Sequence, residues 1–277
     1  MPIEFFDIPD ADATVAWAIN ARGDVVGTTV SGGNVFHGYQ RDRNGNVTPV
    51  DVAIAGAAVA NCTSARGISP SGEIVGFVQT LTCGGTQPES RPGAHGFVQG
   101  RNGPPEIVDV QFPGTLGTVV YGTNPAGDLV GAYLDADNRT RGFLRQGGAI
   151  TRIDVNDATL TTCRGINANG EIVGRFDTHG YVRSTDGSVE TIDFLGATST
   201  VVGAINPRGD IVGRFATPGV VHAFLRTRGG QPVELVVVPG ATNTDATGIS
   251  PSGDIVGTVT FREGDVTRTR GFIQRTG

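Results

Sequence analysis

The sequence predicts an all-β protein, a six-bladed β-propeller of four-stranded blades, and three observations predict it. A glycine–acid–aliphatic–aliphatic–glycine run occurs six times, from Gly23-Asp24-Val25-Val26-Gly27 to Gly253-Asp254-Ile255-Val256-Gly257. A threonine heads each copy (Thr14, Thr63, Thr118, Thr161, Thr200, Thr244), so the copies start 49, 55, 43, 39 and 44 residues apart. That period fits a propeller blade, a unit that cannot bury its own apolar faces without neighbours. Finally, 43 glycines and only 17% charged residues in a chain of 277 describe tight turns and short strands.

Within a copy the elements follow in order. Strand one runs from the threonine through small and β-branched residues to Ala18-Ile19-Asn20, Gly67-Ile68-Ser69 or a near variant. A turn such as Asn206-Pro207-Arg208-Gly209 comes next, with Pro second and Gly fourth as a type I turn prefers. The acid–aliphatic–aliphatic–glycine run is strand two. A loop of variable length leads to strand three and its aromatic anchor: Tyr39, Phe97, Phe143, Tyr181, Phe224 or Phe272. Strand four is short, as in Val50-Asp51-Val52 and Ile192-Asp193-Phe194. The chain therefore reads as one domain, residues 1–277, with blades at about 12–57, 58–112, 113–156, 157–196, 197–239 and 240–277 plus 1–11. The sixth copy lacks a fourth strand, and Phe6-Asp7-Ile8 has the pattern of Ile192-Asp193-Phe194. The N-terminal strand is expected to complete the last blade and close the ring, leaving no open seam.

The third-strand column carries His222-Ala223-Phe224, with the variants His37-Gly38-Tyr39, His95-Gly96-Phe97 and His179-Gly180-Tyr181. This resembles the bacterial extracellular repeat family named for its His-Ala-Phe (HAF) motif, over essentially the whole chain. Two copies depart from the motif, with Arg141-Gly142-Phe143 and Arg270-Gly271-Phe272. The resemblance implies an extracytoplasmic protein, secreted or periplasmic, and transfers no established chemistry to individual residues.

Composition narrows the partners. A net charge of −6 argues against nucleic acid, whose phosphates demand a basic patch. No segment approaches the roughly 20 apolar residues of a membrane-spanning helix. The start, Met1-Pro2-Ile3-Glu4-Phe5-Phe6, lacks the charged and long apolar regions of a signal peptide, which suits a cytoplasmic chain or a mature form. Two readings of Cys62 and Cys83 stand, a disulfide of an oxidising compartment or a pair of buried thiols. A monomer is expected.

Two repeated columns read as structural. All four histidines sit in the third-strand column, once per copy, too far apart to share a metal at about 2 Å. Arg replaces His in two copies, which suits a donor packing inside each blade. The acidic column is Asp24, Glu73, Asp128, Glu171, Asp210 and Asp254. These acids are expected to brace against the long donors two residues past each aromatic anchor, Arg41, Gln99, Arg145, Arg183, Arg226 and Gln274.

Sites lie where a repeat stops repeating, because they are grafted onto a scaffold. One column of strand one does so: Trp17, Arg66, Tyr121, Arg164, Gly203 and Thr247. If strand one is innermost, these residues surround a central channel. Trp17, Arg66, Tyr121, Arg164 and Thr247 are then candidates to bind a small polar or anionic molecule, by stacking and by guanidinium hydrogen bonds. The plainer reading pairs the arginines with nearby acids and makes Trp17 a plug. Asp12, Asn61, Asp157, Asn243 and Asp245, assigned to the loops before strand one, supply oxygen atoms of the kind calcium takes, as at the channel mouth of six-bladed lactonases, which this fold resembles. The long loop from Gln79 to Ala94, with Cys83, Glu89 and Arg91, could form a rim over the same end. No cofactor is required by this reading. A hydrolase of esters, lactones or phosphoesters using the same pocket, and a scaffold for protein or glycan contacts, are the alternatives. Cys163 adjoins Arg164 but is expected to pack between blades, because adjacent strand residues face opposite sides.

Overall fold

The computed structural model describes residues 3–32, 35–56, 62–81, 83, 90–101, 103–234, 238, 240–264 and 266–276. Among them every regular element is a strand, and no helix is long and apolar enough to cross a membrane. The chain begins with β1 (Ile3–Phe6), β2 (Ala13–Ile19), β3 (Val25–Ser31), β4 (Val35–Arg41) and β5 (Val47–Val50). It continues with β6 (Cys62–Ile68), β7 (Ile74–Gln79), β8 (Ala94–Gln99), β9 (Pro105–Ile107), β10 (Gly117–Thr123), β11 (Leu129–Leu134), β12 (Thr140–Gln146) and β13 (Ala149–Ile153). Next come β14 (Thr161–Ile166), β15 (Ile172–Phe176), β16 (His179–Arg183), β17 (Val189–Ile192), β18 (Ser199–Ile205), β19 (Ile211–Thr217), β20 (Val220–Arg226) and β21 (Val233–Glu234). The last three are β22 (Ala241–Ile249), β23 (Ile255–Glu263) and β24 (Val266–Gln274).

Three four-stranded antiparallel sheets stand apart, β6 to β9, β10 to β13 and β14 to β17, each in chain order. The other strands form one mixed sheet of twelve. Inside it the same antiparallel order recurs, β2 to β5, β18 to β21, and β22 to β24 followed by β1. Single parallel pairs, Ala13 with Thr269 and Val221 with Asn243, stitch these runs together. Ile3 lies opposite Gln274 and Phe6 opposite Gly271, so the N-terminal strand does extend the last run.

The aliphatic pair of each second strand explains the stacking. Val25 packs with Phe6, Tyr39 and Ile273, whereas its neighbour Val26 packs with Val52, Ala65 and Val78. Ile211 and Val212 divide between two cores in the same way. Adjacent strand residues point to opposite faces, and here both faces are covered, so the sequence shows a continuous apolar run instead of alternation. The glycine after the pair is a steric requirement. A Cβ on Gly131 would lie 2.1 Å from the Val119 carbonyl oxygen and 2.6 Å from the Phe143 ring.

Repeated polar residues join one unit to the next. Thr63 Oγ1 accepts from the Val52 amide at 2.9 Å, Thr118 Oγ1 from Val110 at 3.0 Å, and Thr14 Oγ1 from Ile8 at 2.9 Å. The third-strand donors act within a unit: His95 Nδ1 lies 2.8 Å from Asp109, and His179 Nδ1 lies 2.7 Å from Asp193. Arg141 takes the same role towards Asp154 at 3.5 Å. His222 differs, facing Thr217 Oγ1 at 3.0 Å.

The acidic column departs from expectation. Asp24, Asp128 and Asp210 accept from the side-chain amides of Asn20, Asn124 and Asn206, four residues back in their own turns, at 3.0–3.1 Å. Arg41 and Arg226 instead reach Glu4 at 2.7 Å and Glu190 at 2.6 Å. The register is the reason: Arg41 stands opposite Val25, one residue past Asp24, and one residue is a change of face. For Asp210, burial pushes the carboxyl pKa up, but hydrogen bonds from Asn206 and Arg208 outweigh it and hold the group below its ordinary value.

Candidate functional site

Every first strand carries a bulge at the same place. The pairing of β2 with β3 skips from Ala16 to Ala18, that of β6 with β7 from Ala65 to Gly67, and that of β10 with β11 from Val120 to Gly122. The skips at Cys163/Gly165, Val202/Ala204 and Ala246/Gly248 complete the set. The residues left out are Trp17, Arg66, Tyr121, Arg164, Gly203 and Thr247, the column in which the repeat breaks. A bulge re-aims its extra side chain out of the pleat, and all six residues line one central cavity of about 120 Å³.

The small residues beside the bulges allow this convergence. A Cβ on Gly67 would lie 2.9 Å from the Tyr121 carbonyl oxygen, one on Gly122 would lie 3.0 Å from that of Arg164, and one on Gly248 would lie 2.9 Å from that of Trp17. Inner strands of neighbouring units thus approach backbone to side, and the last contact joins the end of the chain to its start.

Around the cavity aromatic rings and guanidinium groups alternate. Arg66 Cζ sits 3.8 Å from the Trp17 ring centroid and 5.7 Å from that of Tyr121, while Arg164 Cζ sits 5.1 Å from Tyr121. Arg66 and Tyr121 are buried, at 7% and 6% exposure. Trp17 is fixed at its far edge: Nε1–H donates to Thr28 Oγ1 at 2.9 Å, and that hydroxyl lies 2.7 Å from Ser64 Oγ. Thr247 Oγ1–H donates to the Ala16 carbonyl at 2.8 Å. A guanidinium stacked on a ring keeps its in-plane N–H edge turned away from that ring, the edge that grips a carboxylate or phosphate.

The structure adds Arg214, which sequence reasoning missed. It lines the same cavity, and its Nη1 donates to Asp245 Oδ2 at 2.6 Å. Its signal was a second variable column, one residue past the strand-two glycine: Thr28, Phe77, Ala132, Arg175, Arg214 and Thr258. Of the oxygen-bearing candidates, Asn61 lies outside the described residues, as does Glu89 of the long loop. Asn243 and Asp245 are in β22 itself, not in a loop: they flank Thr244, and the positions flanking the equivalent threonines also lie within β2, β6, β10 and β18. Asn243 Oδ1 accepts from the Val221 amide at 3.1 Å. Asp157 occupies a left-handed turn, φ 54°. Among the described residues no three His, Cys, Asp or Glu side chains converge as a metal cluster.

Cys62 and Cys83 form a disulfide, with Cα atoms 5.7 Å apart, which ties Cys83 to the first residue of β6. Cys163 is fully buried away from Arg164, its Sγ accepting from the Tyr181 hydroxyl at 3.3 Å, and burial pushes its pKa up to about 12. It is a packing residue and not a nucleophile.

No family model matches the chain, and no curated protein matches its sequence. Solved structures do match in shape. Virginiamycin B lyase from Staphylococcus aureus is 11% identical with a TM-score of 0.52, the match covering 97% of this chain and 87% of that one. TolB from Acinetobacter baumannii is 13% identical with a TM-score of 0.60, over 97% of this chain and 65% of TolB. Trypanosoma rangeli sialidase is 12% identical with a TM-score of 0.59, over 96% of this chain and 55% of the sialidase. These neighbours are β-propeller-like proteins. The fold is a β-propeller. At such identities the comparison speaks to the fold alone, and the chemistry of this propeller has to be argued from its own cavity.

Proposed function

We propose that this chain is a six-bladed propeller that binds a small anionic molecule in its central channel. The six blades are the consecutive antiparallel runs of four strands, the last completed by β1. The observation that carries the binding reading is the convergence of six bulges on one cavity. A scaffold needs no bulge-borne Trp, Tyr and Arg side chains at its axis. The charged side chains lining the cavity are Arg66, Arg164, Arg214 and Asp245, three cations to one anion, in a chain whose net charge is −6. Concave sites with a few converging polar groups are where ligands bind, and a cationic cleft concentrates anions. Arg66 and Arg164 would grip the anion, with Trp17 and Tyr121 holding the guanidinium planes in place. Thr247, whose hydroxyl hydrogen is committed to the Ala16 carbonyl, would line the pocket against the same ligand.

The test is calorimetric titration with acetate, propionate, phosphate and sulfate, on the wild type and on the Arg66→Ala/Arg164→Ala double variant. Saturable binding of at least one anion that the double variant loses is expected. Equal heats from both proteins, or none from either, would remove the channel as the site. Activated esters, lactones and phosphotriesters belong in the same panel. Turnover that vanishes in the double variant would make the propeller a hydrolase using this pocket.

We infer also that the protein works outside the cytoplasm. The Cys62–Cys83 disulfide supports this, since such bonds persist in oxidising compartments, and the resemblance to the HAF-repeat family points the same way. Thiol labelling of protein purified from its native host without reductant is the check. Two titratable cysteines appearing only after reduction are expected, and free Cys62 and Cys83 would oppose the inference.

A further inference from the structure

The channel wall has two chemically different sides. One is the alternating stack of Trp17, Arg66, Tyr121 and Arg164. The other is Asp245, with Arg214 clamped to its Oδ2 at 2.6 Å. A site built only for a simple anion has no use for a carboxylate in its wall, which would repel the ligand. The propeller does not need the pair as a brace either. The residues equivalent to Asp245 in the other first strands are Val15, Ser64, Val119, Thr162 and Val201, none of them charged. Among the described residues that line the cavity, Asp245 is the one acid, and its arginine, Arg214, comes from β19.

We propose that the ligand is a small α-hydroxy carboxylate, its carboxylate held by Arg66 and Arg164 and its hydroxyl donating to Asp245. This rests on the binding reading above and deepens it. Arg214 offsets the charge of Asp245 and fixes Oδ2, so that Oδ1 is the acceptor presented to the ligand; a carboxylate has lone pairs for both. The size of the cavity limits the ligand. A dry cavity of about 150 Å³ holds benzene, roughly six heavy atoms. The 120 Å³ here suits a molecule, or the part of a molecule held between the arginines and Asp245, of the size of lactate or glycerate. The charge count chooses between a hydroxyl and an ammonium as the donor. Three guanidinium groups against one carboxylate favour a ligand with a net negative charge, so the hydroxy acid is preferred over the zwitterionic amino acid.

The experiment compares lactate, its deoxy analogue propionate, and alanine by calorimetry on the full chain, wild type and Asp245→Asn. Wild type is expected to bind lactate at least about tenfold more tightly than propionate, the scale of one hydrogen bond to a charged group, and more tightly than alanine. In Asp245→Asn the preference for lactate should collapse towards equal binding. Both acids lose the repelling carboxylate and meet an unclamped Arg214, while lactate alone loses its charged acceptor. Equal binding of lactate and propionate by wild type would overturn the hydroxy-acid assignment and leave the anion reading standing. Binding of neither acid would overturn both. A parallel loss of both acids in Asp245→Asn would make the Arg214–Asp245 pair a structural brace and overturn the assignment. The wild-type ratio decides even if the variant fails to fold. Tighter binding of alanine than of lactate would reverse the choice of donor.

Discussion

Arg270 donates through Nε to both carboxylate oxygens of Asp7, each at 3.0 Å, across 263 residues of sequence. The pair repeats, between the two ends of the chain, what His95 and Asp109 do within one unit. It marks β1 as a working fourth strand and not a frayed end. Its own energy is small, since both partners are partly exposed and such pairs contribute about 0–1 kcal/mol.

The strand it belongs to matters far more. Phe6 and Ile8 are 6% and 9% exposed, and burial of each such side chain contributes roughly 1.5–3 kcal/mol. Deleting residues 1–10 is therefore expected to lower the midpoint of the whole thermal transition. Asp7→Ala should shift it little. A truncated chain that melts at the wild-type temperature would show that β1 closes nothing.

The stacking of Arg66 on Trp17 has its own optical readout, because Trp17 is the only tryptophan of the chain. With the guanidinium 3.8 Å from the ring centroid, Arg66→Ala exposes the indole to solvent. A red shift of the fluorescence emission is expected, with a loss of stability of about 1–2 kcal/mol from a largely desolvated cation–π contact. Emission unchanged in the variant would mean that the two side chains are not stacked in solution.

These residues also show where the sequence was legible. Strand order, aromatic anchors and the N-terminal complement follow from patterns of one or two residue types, repeated six times, and the structure carries them. The variable column was visible because it is the one place in strand one where size and charge change from copy to copy. Its cause, the bulge, was not visible, since a bulge is a pairing irregularity between two strands and leaves no local mark. Arg214 escaped for a related reason. Its partner Asp245 lies on a different blade, and a contact between blades depends on how sheets splay around the axis. The acidic column misled because Asn20 and its counterparts compete for the same carboxylates from inside the turn, where no register has to be guessed.

Thr63 tests the link between units. Its hydroxyl oxygen accepts from the Val52 amide at 2.9 Å, and both residues are buried. Thr63→Val keeps the shape and strands a buried donor, which costs about 1–3 kcal/mol. Urea denaturation should show that loss, and amide exchange at Val52 should quicken more than at neighbouring strand residues. Unchanged protection at Val52 would mean that the amide finds another acceptor.

Cys163 gives a prediction in pH. Its thiol is fully buried, and burial raises its pKa from 9.0 to about 12. Below pH 9 the thiol is protonated in both the folded and the unfolded chain, so it contributes no pH dependence. Between about pH 9 and 12 the unfolded thiol ionises while the folded one keeps its proton, so the unfolded state gains. Stability should fall across that window, by up to about 1.4 kcal/mol per pH unit from this group. Cys163→Ala starts less stable, because it leaves a cavity against Tyr181 and the strand at Gly142, but its alkaline slope should be flatter. The same burial makes the thiol inert, since the thiolate is the reactive form. Iodoacetamide at pH 8 is expected to leave Cys163 unmodified in the native protein and to modify it in denaturant. Rapid native alkylation, or identical alkaline slopes for the wild type and Cys163→Ala, would show that the inter-blade core around this residue opens.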